Sequence, residues 1–254
     1  VRKNVPTLTL LGVPVARTNR DDALREIEFL LDRDEPDTVA FVNAHSLNLA
    51  VRDHAYRSAL HDCSLVLNDG VGLAIAARLW GSSFPDNLNG TDLSPAVLRM
   101  VVDRGLTVFL LGGRPGVAER DAERLPRSFP GLRIVGTHHG YFGPGETEQV
   151  VRRIRDSGAQ VLFAALGNPR QELFLHRHLP DTGARLGVSV GAFFDIFFGR
   201  FPRAPQWMRR LRLEWLHRLR LEPRRLFGRY VIGNPLFLAR VVGERVRTLS
   251  AWKG

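Results

Sequence analysis

The chain has 254 residues, 44% of them hydrophobic and 24% charged, which is the composition of a globular protein able to bury a large core. Its net charge of +10 is uneven: fourteen Lys/Arg against three Asp/Glu from Arg200 onward give +11 there and leave −1 for residues 1–199, an asymmetry that points to an anionic partner for the tail. A single cysteine, Cys63, excludes an internal disulfide, and neither a signal-peptide pattern nor an apolar run near the ~20 residues of a spanning helix is present, so a cytosolic protein is expected.

Apolar, β-rich runs predict strands at 8–15, 38–43, 64–68, 107–112, 132–137, 160–166 and 185–191. Helical patterns lie between most of them, at 20–33, 45–60, 70–80, 94–104, 116–126, 146–157 and 169–178. This alternation predicts an α/β fold, a Rossmann-like and mostly parallel sheet with helices on both faces. Ligands then collect beyond the carboxyl ends of the strands. After Gly199 the pattern becomes an Arg-rich helix, a break at Pro223 and a short helix after "GNP" (233–235). The expected division is a core of residues 1–199 and a basic helical appendage of 200–254.

Four strand-to-helix turns carry candidate chemistry. In "NDGVGLAIAARLWG" Asp69 sits on the turn, with Gly70 and Gly72 opening a helix whose N-terminus favours an anion. Asp69 there either accepts a proton from a bound hydroxyl or merely caps the helix. "VFLLGGRPG" offers Gly112 and Gly113, whose N–H groups face a phosphate or simply permit a tight turn. "GTHHGYFGPGE" brings two histidines and Tyr141, too few ligands for a metal but suited to stacking on a base. "GNPRQELFLHRH" predicts Asn168 as N-cap and Pro169 in the first turn, with Gln171 turned back toward the strand ends. The triplet "DRD" (32–34) reads as solvated charge at a helix end, so no metal site and no cofactor are expected.

The tail "RAPQWMRRLRLEWLHRLRLEPRRLFGRY" (203–230) closes the series. On one helix over 207–221, Trp207, Met208, Leu211, Trp215 and Leu219 fall within an arc of about 120°. Such a helix docks on the body, on a second subunit or on a membrane. Arg218 falls inside the apolar arc and therefore needs an anionic partner. A diphosphate fits that requirement, with Arg203, Arg224, Arg225 and Arg229 as further candidates.

Taken in order, "FVNAHSLNLA", "NDGVGLAIAARLWG", "NGTDL", "VFLLGGRPGVAE", "IVGTHHGYF", "LGNPRQE", "VGAFFDIFFGR" and "RAPQWMRRLRLEWLHRLRLEPRR" closely resemble the WecG/TagA/CpsF glycosyltransferase family over about residues 8–240. The resemblance implies an inverting, metal-independent enzyme. It would move a sugar from a UDP-sugar to a polyprenyl-diphosphate-linked saccharide at the cytoplasmic face of the bacterial membrane. It puts the catalytic base on Asp69, with Asn43 and Gln171 as companions. Donor contacts are implied for Gly70, Gly72, Asn89, Thr91, Gly112, Gly113, Asn168 and, at the uracil end, Tyr141 and Asp195. Phe41 and Asn87 depart from the branch that uses N-acetylmannosamine, which turns the expectation toward a glucose-type donor in exopolysaccharide synthesis. Two rivals are a non-catalytic sugar-nucleotide-binding partner of another transferase and a nucleic-acid-binding protein. The near-neutral body and the single apolar stripe of the tail argue against nucleic acid.

Overall fold

The computed structural model of the chain describes residues 5–191, 193–197, 204–210 and 213–251, without the side chains of Asp195, Ile196, Arg209, Arg210 and Ala251. The predicted strand 8–15 is a hairpin instead. Strands β1 (Thr7–Leu10) and β2 (Val13–Ala16) pair antiparallel across a two-residue turn. Leu11 and Gly12 both have positive φ (51° and 79°), the geometry that a two-residue hairpin demands.

After helix α1 (Arg20–Leu31), six strands form one parallel sheet: β3 (Asp37–Val42), β4 (Leu65–Asn68), β5 (Thr107–Gly112), β6 (Arg133–His138), β7 (Val161–Ala165) and β8 (Leu186–Ser189). Their spatial order is β4-β3-β8-β7-β5-β6, so β3 and β4 form one flank, β5 and β6 the other, and the last two strands fill the centre. Side chains alternate between two apolar layers, as the period of a strand requires. Val39, Phe41, Leu65, Leu67, Val108, Leu110, Phe163 and Val188 face a core shared with α1. Ala40, Val42, Val66, Phe109, Leu111 and Leu162 face the opposite side. Strand β4 is an edge, yet it is buried throughout because β2 packs against it. The α/β architecture expected from the alternation is the one observed.

Two predicted helices have different limits. The run 45–60 divides into α2 (Ala44–Arg52) and α3 (His54–His61), because Asp53 accepts from the Tyr56 N–H and caps a new helix. After α4 (Val71–Leu79), helix α5 (Gly90–Asp103) starts four residues early, since Asn89 caps it by accepting from the Asp92 N–H. Helices α6 (Val117–Ser128), α7 (Thr147–Asp156), α8 (Arg170–Thr182) and α9 (Phe193–Phe197) complete the body.

The tail is not one helix over 207–221. It comprises α10 (Gln206–Arg210), a non-helical Leu213, α11 (Glu214–Leu221), α12 (Pro223–Phe227), a π-helical turn (Gly228–Ile232) and α13 (Gly233–Ala251). The last is nineteen residues long rather than short. It seats Phe237 and Val241, both fully buried, among the apolar residues of α2 and α4. Gly72 makes room there: a Cβ on it would stand 3.2 Å from that of Ala44. Polar ties fix the register of the docked helix. Asn48 Nδ2 donates to the Gly233 carbonyl (2.7 Å), Arg240 Nη1 to Asn48 Oδ1 (2.7 Å), and the Leu11 N–H to Glu244 Oε2 (3.0 Å).

Phe237→Ala is expected to cost about 3–5 kcal/mol, the usual loss for a buried phenylalanine. A lowered unfolding midpoint in urea with an unchanged slope would register it.

Candidate active site

Along the carboxyl ends of the parallel strands runs a cleft of two lobes. The larger has a volume of about 630 Å³ and reaches over the ends of β5, β7 and β8, between Gly113, Gly140, Tyr141, Gly167 and Gly191. The smaller, about 150 Å³, lies between the α4 N-terminus and the tail, beside Trp215, Tyr230 and Asn234. Six residues line both: Asn43, His45, Asp69, Thr91, Arg218 and Arg229. The lobes therefore meet at Asp69.

Asp69 follows β4 directly, and its backbone N–H donates to the Val42 carbonyl (2.8 Å), which carries the parallel pairing one residue beyond the strands. It does not cap α4. The N-cap is Gly70, whose φ of 92° suits glycine and which makes no side-chain cap bond. The Gly70 N–H instead donates to Asn87 Oδ1 (2.7 Å). Burial pushes the Asp69 carboxyl above its ordinary range, and Arg229, Arg218 and a hydrogen bond from Asn43 pull it back. Asn43 is fixed for that task. Its Oδ1 accepts from the N–H groups of His45 and Ser46 as the cap of α2, which leaves its amide N–H₂ for Asp69.

The cations come from the tail. Burial disfavours the Arg229 charge, which Tyr230 and Asp69 offset. Its Nε is buried without a hydrogen-bond partner among the described residues, a donor available to an anion. Arg218 lines both lobes, and Arg225 lines the larger lobe alone. Arg224 is exposed and lines neither lobe; Arg203 lies outside the described residues. Burial, then Arg229, lower His45 to about 4, so its imidazole is neutral near pH 7.

The remaining candidates separate by lobe. Gly113, Tyr141, Asn168 and Gln171 line the larger one, while Gly70, Gly72 and Asn89 line the smaller. Gly112 lines neither. With φ at 144°, a Cβ on it would fall 2.4 Å from the Ala165 carbonyl oxygen, so this glycine serves strand contact. The Gly113 N–H points to the same oxygen (3.4 Å). Asp195 lies on α9, with its side chain outside the description. Asn168 is not the N-cap of α8, a position held by Pro169. Its Nδ2 donates to Glu172 Oε1 (2.8 Å) and Tyr56 Oη (3.2 Å). Gln171 Oε1 accepts from the N–H groups of Gly167 (3.1 Å) and Gly191 (3.2 Å), and its Nε2 donates to Glu172 (2.8 Å). Gln171 thus laces the β7 and β8 loops into the floor of the larger lobe.

Sequence reasoning passed over Glu172, His45, Trp215 and Asn234. Glu172 stands next to Gln171 in the same motif, but nothing in its spacing announces that both will be buried. Among the described residues no three His, Cys, Asp or Glu side chains converge as a metal site would require, and no helix is long and apolar enough to cross a membrane.

Comparison with known proteins points one way. The sequence model of the "Glycosyl transferase WecG/TagA/CpsF family" matches residues 8–251. An N-acetylglucosaminyldiphosphoundecaprenol N-acetyl-beta-D-mannosaminyltransferase of Bacillus subtilis (strain 168) is 29% identical over 218 residues, 85% of this chain and 84% of that protein. A protein of the same name from Bacillus spizizenii is 31% identical over 193 residues, 76% of this chain and 74% of its own length. Both names specify an N-acetylmannosaminyl transfer, so the glucose-type donor expectation finds no support among them.

The Glu172 network carries its own pH signature. Burial raises this carboxyl from 4.5 to about 7, against hydrogen bonds from Gln171, Ser189 and Asn168. Between those values the folded protein keeps a proton that the unfolded chain has lost, so stability falls as pH rises from 4.5 to 7. Glu172→Gln should remove about 3 kcal/mol of that decline, which urea titrations of both proteins across the interval will register.

Proposed function

This chain belongs to the WecG/TagA/CpsF glycosyltransferase family, and from that premise we propose that it moves a sugar, with inversion, from a UDP-sugar to a hydroxyl of a polyprenyl-diphosphate-linked N-acetylglucosamine. It is a glycosyltransferase; donor, acceptor and stereochemistry are the parts proposed. The reading is carried by one observation: Asp69 stands where the two lobes meet, with Arg218 and Arg229 beside it.

Asp69 accepts the proton of the attacking hydroxyl. The new bond forms at the anomeric carbon as the bond to the UDP oxygen breaks, and the electron pair leaves on the β-phosphate. Arg218 and Arg229, beside the carboxylate, offset that growing charge, and Arg225 lies along the larger lobe. This arrangement supports a transfer that needs no divalent cation. Asn43 keeps the Asp69 carboxylate aimed and ionised. The larger lobe has the volume of a nucleotide-sugar site, with Tyr141, 65% exposed, available to a base. For the sugar itself the relatives' names favour an N-acetylhexosamine, and Phe41 lines the larger lobe, where a difference in donor would be felt.

The segment from residue 200 onward acts in this reading as an appendage with two duties, completing the cation site and meeting the inner membrane surface. Exposed Trp207 (59%), Phe227 (53%) and Ile232 (59%), beside exposed Arg224 and Arg225, support the second duty. Phe227→Asp with Ile232→Asp should abolish co-sedimentation with anionic vesicles while turnover on a short-chain acceptor persists. Unchanged sedimentation would remove the membrane role.

UDP release from a panel of UDP-sugars, with a short polyprenyl-diphosphate N-acetylglucosamine and EDTA, tests the transfer. Release is expected to depend on acceptor, to be faster with UDP-N-acetylmannosamine than with UDP-glucose, and to fall ~10²–10⁴-fold in Asp69→Asn. Because burial raises Asp69, the acid limb of the wild-type rate should lie above the ordinary carboxylate range. Equal release from Asp69→Asn would remove it as the base.

A further inference from the structure

The smaller lobe has no occupant so far. Beyond the residues it shares with the larger lobe it is lined by backbone and side chains of Ala44, Gly70, Val71 and Gly72, by the amides Asn87, Asn89 and Asn234, and by Glu214, Trp215 and Tyr230. Arg218 and Arg229 line both lobes, but the smaller has no further lysine or arginine, whereas Arg114, Arg170 and Arg225 line the larger lobe alone. The greater share of positive charge therefore favours the larger lobe for the donor diphosphate. At about 150 Å³ the lobe is also too small for a nucleotide-sugar, but a cavity of that size holds a single six-membered ring.

Inversion fixes which ring. The attacking oxygen and the leaving phosphate must stand on opposite sides of the anomeric carbon. With the donor in the larger lobe, the nucleophile has to reach Asp69 from the smaller one. We propose that the smaller lobe is the acceptor-sugar subsite, taking the terminal pyranose of the lipid-linked acceptor between Trp215, Tyr230 and the amides of Asn87 and Asn234.

The side chains fit a ring with apolar faces and a hydroxylated edge. Trp215 and Tyr230 stand edge to face, with ring centroids 6.1 Å apart, and join an apolar surface to a polar tip. Asn87 has its Oδ1 engaged by the Gly70 N–H, which orients its two amide hydrogens. Asn234 makes no side-chain hydrogen bond among the described residues, although the position faces the lobe. A pyranose hydroxyl or acetamido group satisfies both amides. Three of these residues, Trp215, Tyr230 and Asn234, come from the tail, so the tail selects the acceptor as well as supplying charge.

This assignment rests on the transfer reading above, and the two can fail separately. The probe is N-acetylglucosamine 1-diphosphate carrying a farnesyl chain, titrated in the presence of UDP. It should quench tryptophan fluorescence in the wild type and not in Trp215→Phe, with Trp80, Trp207 and Trp252 as the unchanged background. Trp215→Ala and Asn234→Ala should each raise the KM for this acceptor roughly tenfold or more, with donor KM and UDP affinity unmoved. UDP affinity also reports that each variant is folded. Acceptor KM unchanged in both variants, or a rise confined to donor KM, overturns the subsite while leaving glycosyl transfer intact. A Trp215-dependent quench without transfer from any donor sustains the subsite and overturns the transfer reading instead.

Discussion

A carboxylate held in a sheltered cleft between two guanidinium groups is the constraint on which the rest of this molecule turns. Withdrawing Asp69 from water is costly, and so is withdrawing Arg229. Each is tolerable because the other is present, with Arg218 and Asn43 completing the set. The partners come from opposite ends of the chain, Asn43 and Asp69 from the sheet and the arginines from the tail. The site is thus an electrostatic joint between two parts of the sequence. The cleft is also uneven in charge, because Arg114, Arg170 and Arg225 line the larger lobe alone while the amides of Asn87 and Asn234 face the smaller.

The sheet contributes position. All six strands run the same way, so their carboxyl ends lie along one rim, and β3 with β4 delivers Asn43 and Asp69 as the residues immediately after the pairing stops. Few side chains there are free to drift. Asn43 is held by the α2 cap, Gln171 by two backbone N–H groups, and Asn168 by Glu172 and Tyr56. Such bracing is what keeps a catalytic geometry within the small tolerance that chemistry allows.

Much of this was legible from sequence because it is local. Alternating apolar runs and helical patterns carry the period of each element, and Asp69 on a glycine-flanked turn marks a strand end. The arc that singled out Arg218 assumed one helix over 207–221, which breaks before Glu214, yet Arg218 lines both lobes. What escaped was non-local or local in an unusual way. A positive φ at Leu11 turned one expected strand into a hairpin, although nothing but the turn distinguishes the two. Asn168 looked like a helix cap, yet Tyr56 and Glu172, distant and adjacent in sequence, compete for its amide and win. The tail's departure from one continuous helix depends on where each segment meets the body, and Trp215 and Asn234, on different helices, come to line one lobe only in the folded chain.

The hydrogen bond from Leu11 to Glu244 joins residues 233 positions apart. Domains are synthesised from the N-terminus and assemble progressively as the chain emerges. A sheet that is already folded still lacks its guanidinium partners until the tail that carries Arg218 and Arg229 has been made, and α13 then ties that tail to the β1–β2 hairpin. A ribosome-bound fragment that contains every strand and Asp69 itself therefore holds the cleft with one wall missing, and any truncation that loses the tail from α11 onward releases the same incomplete species.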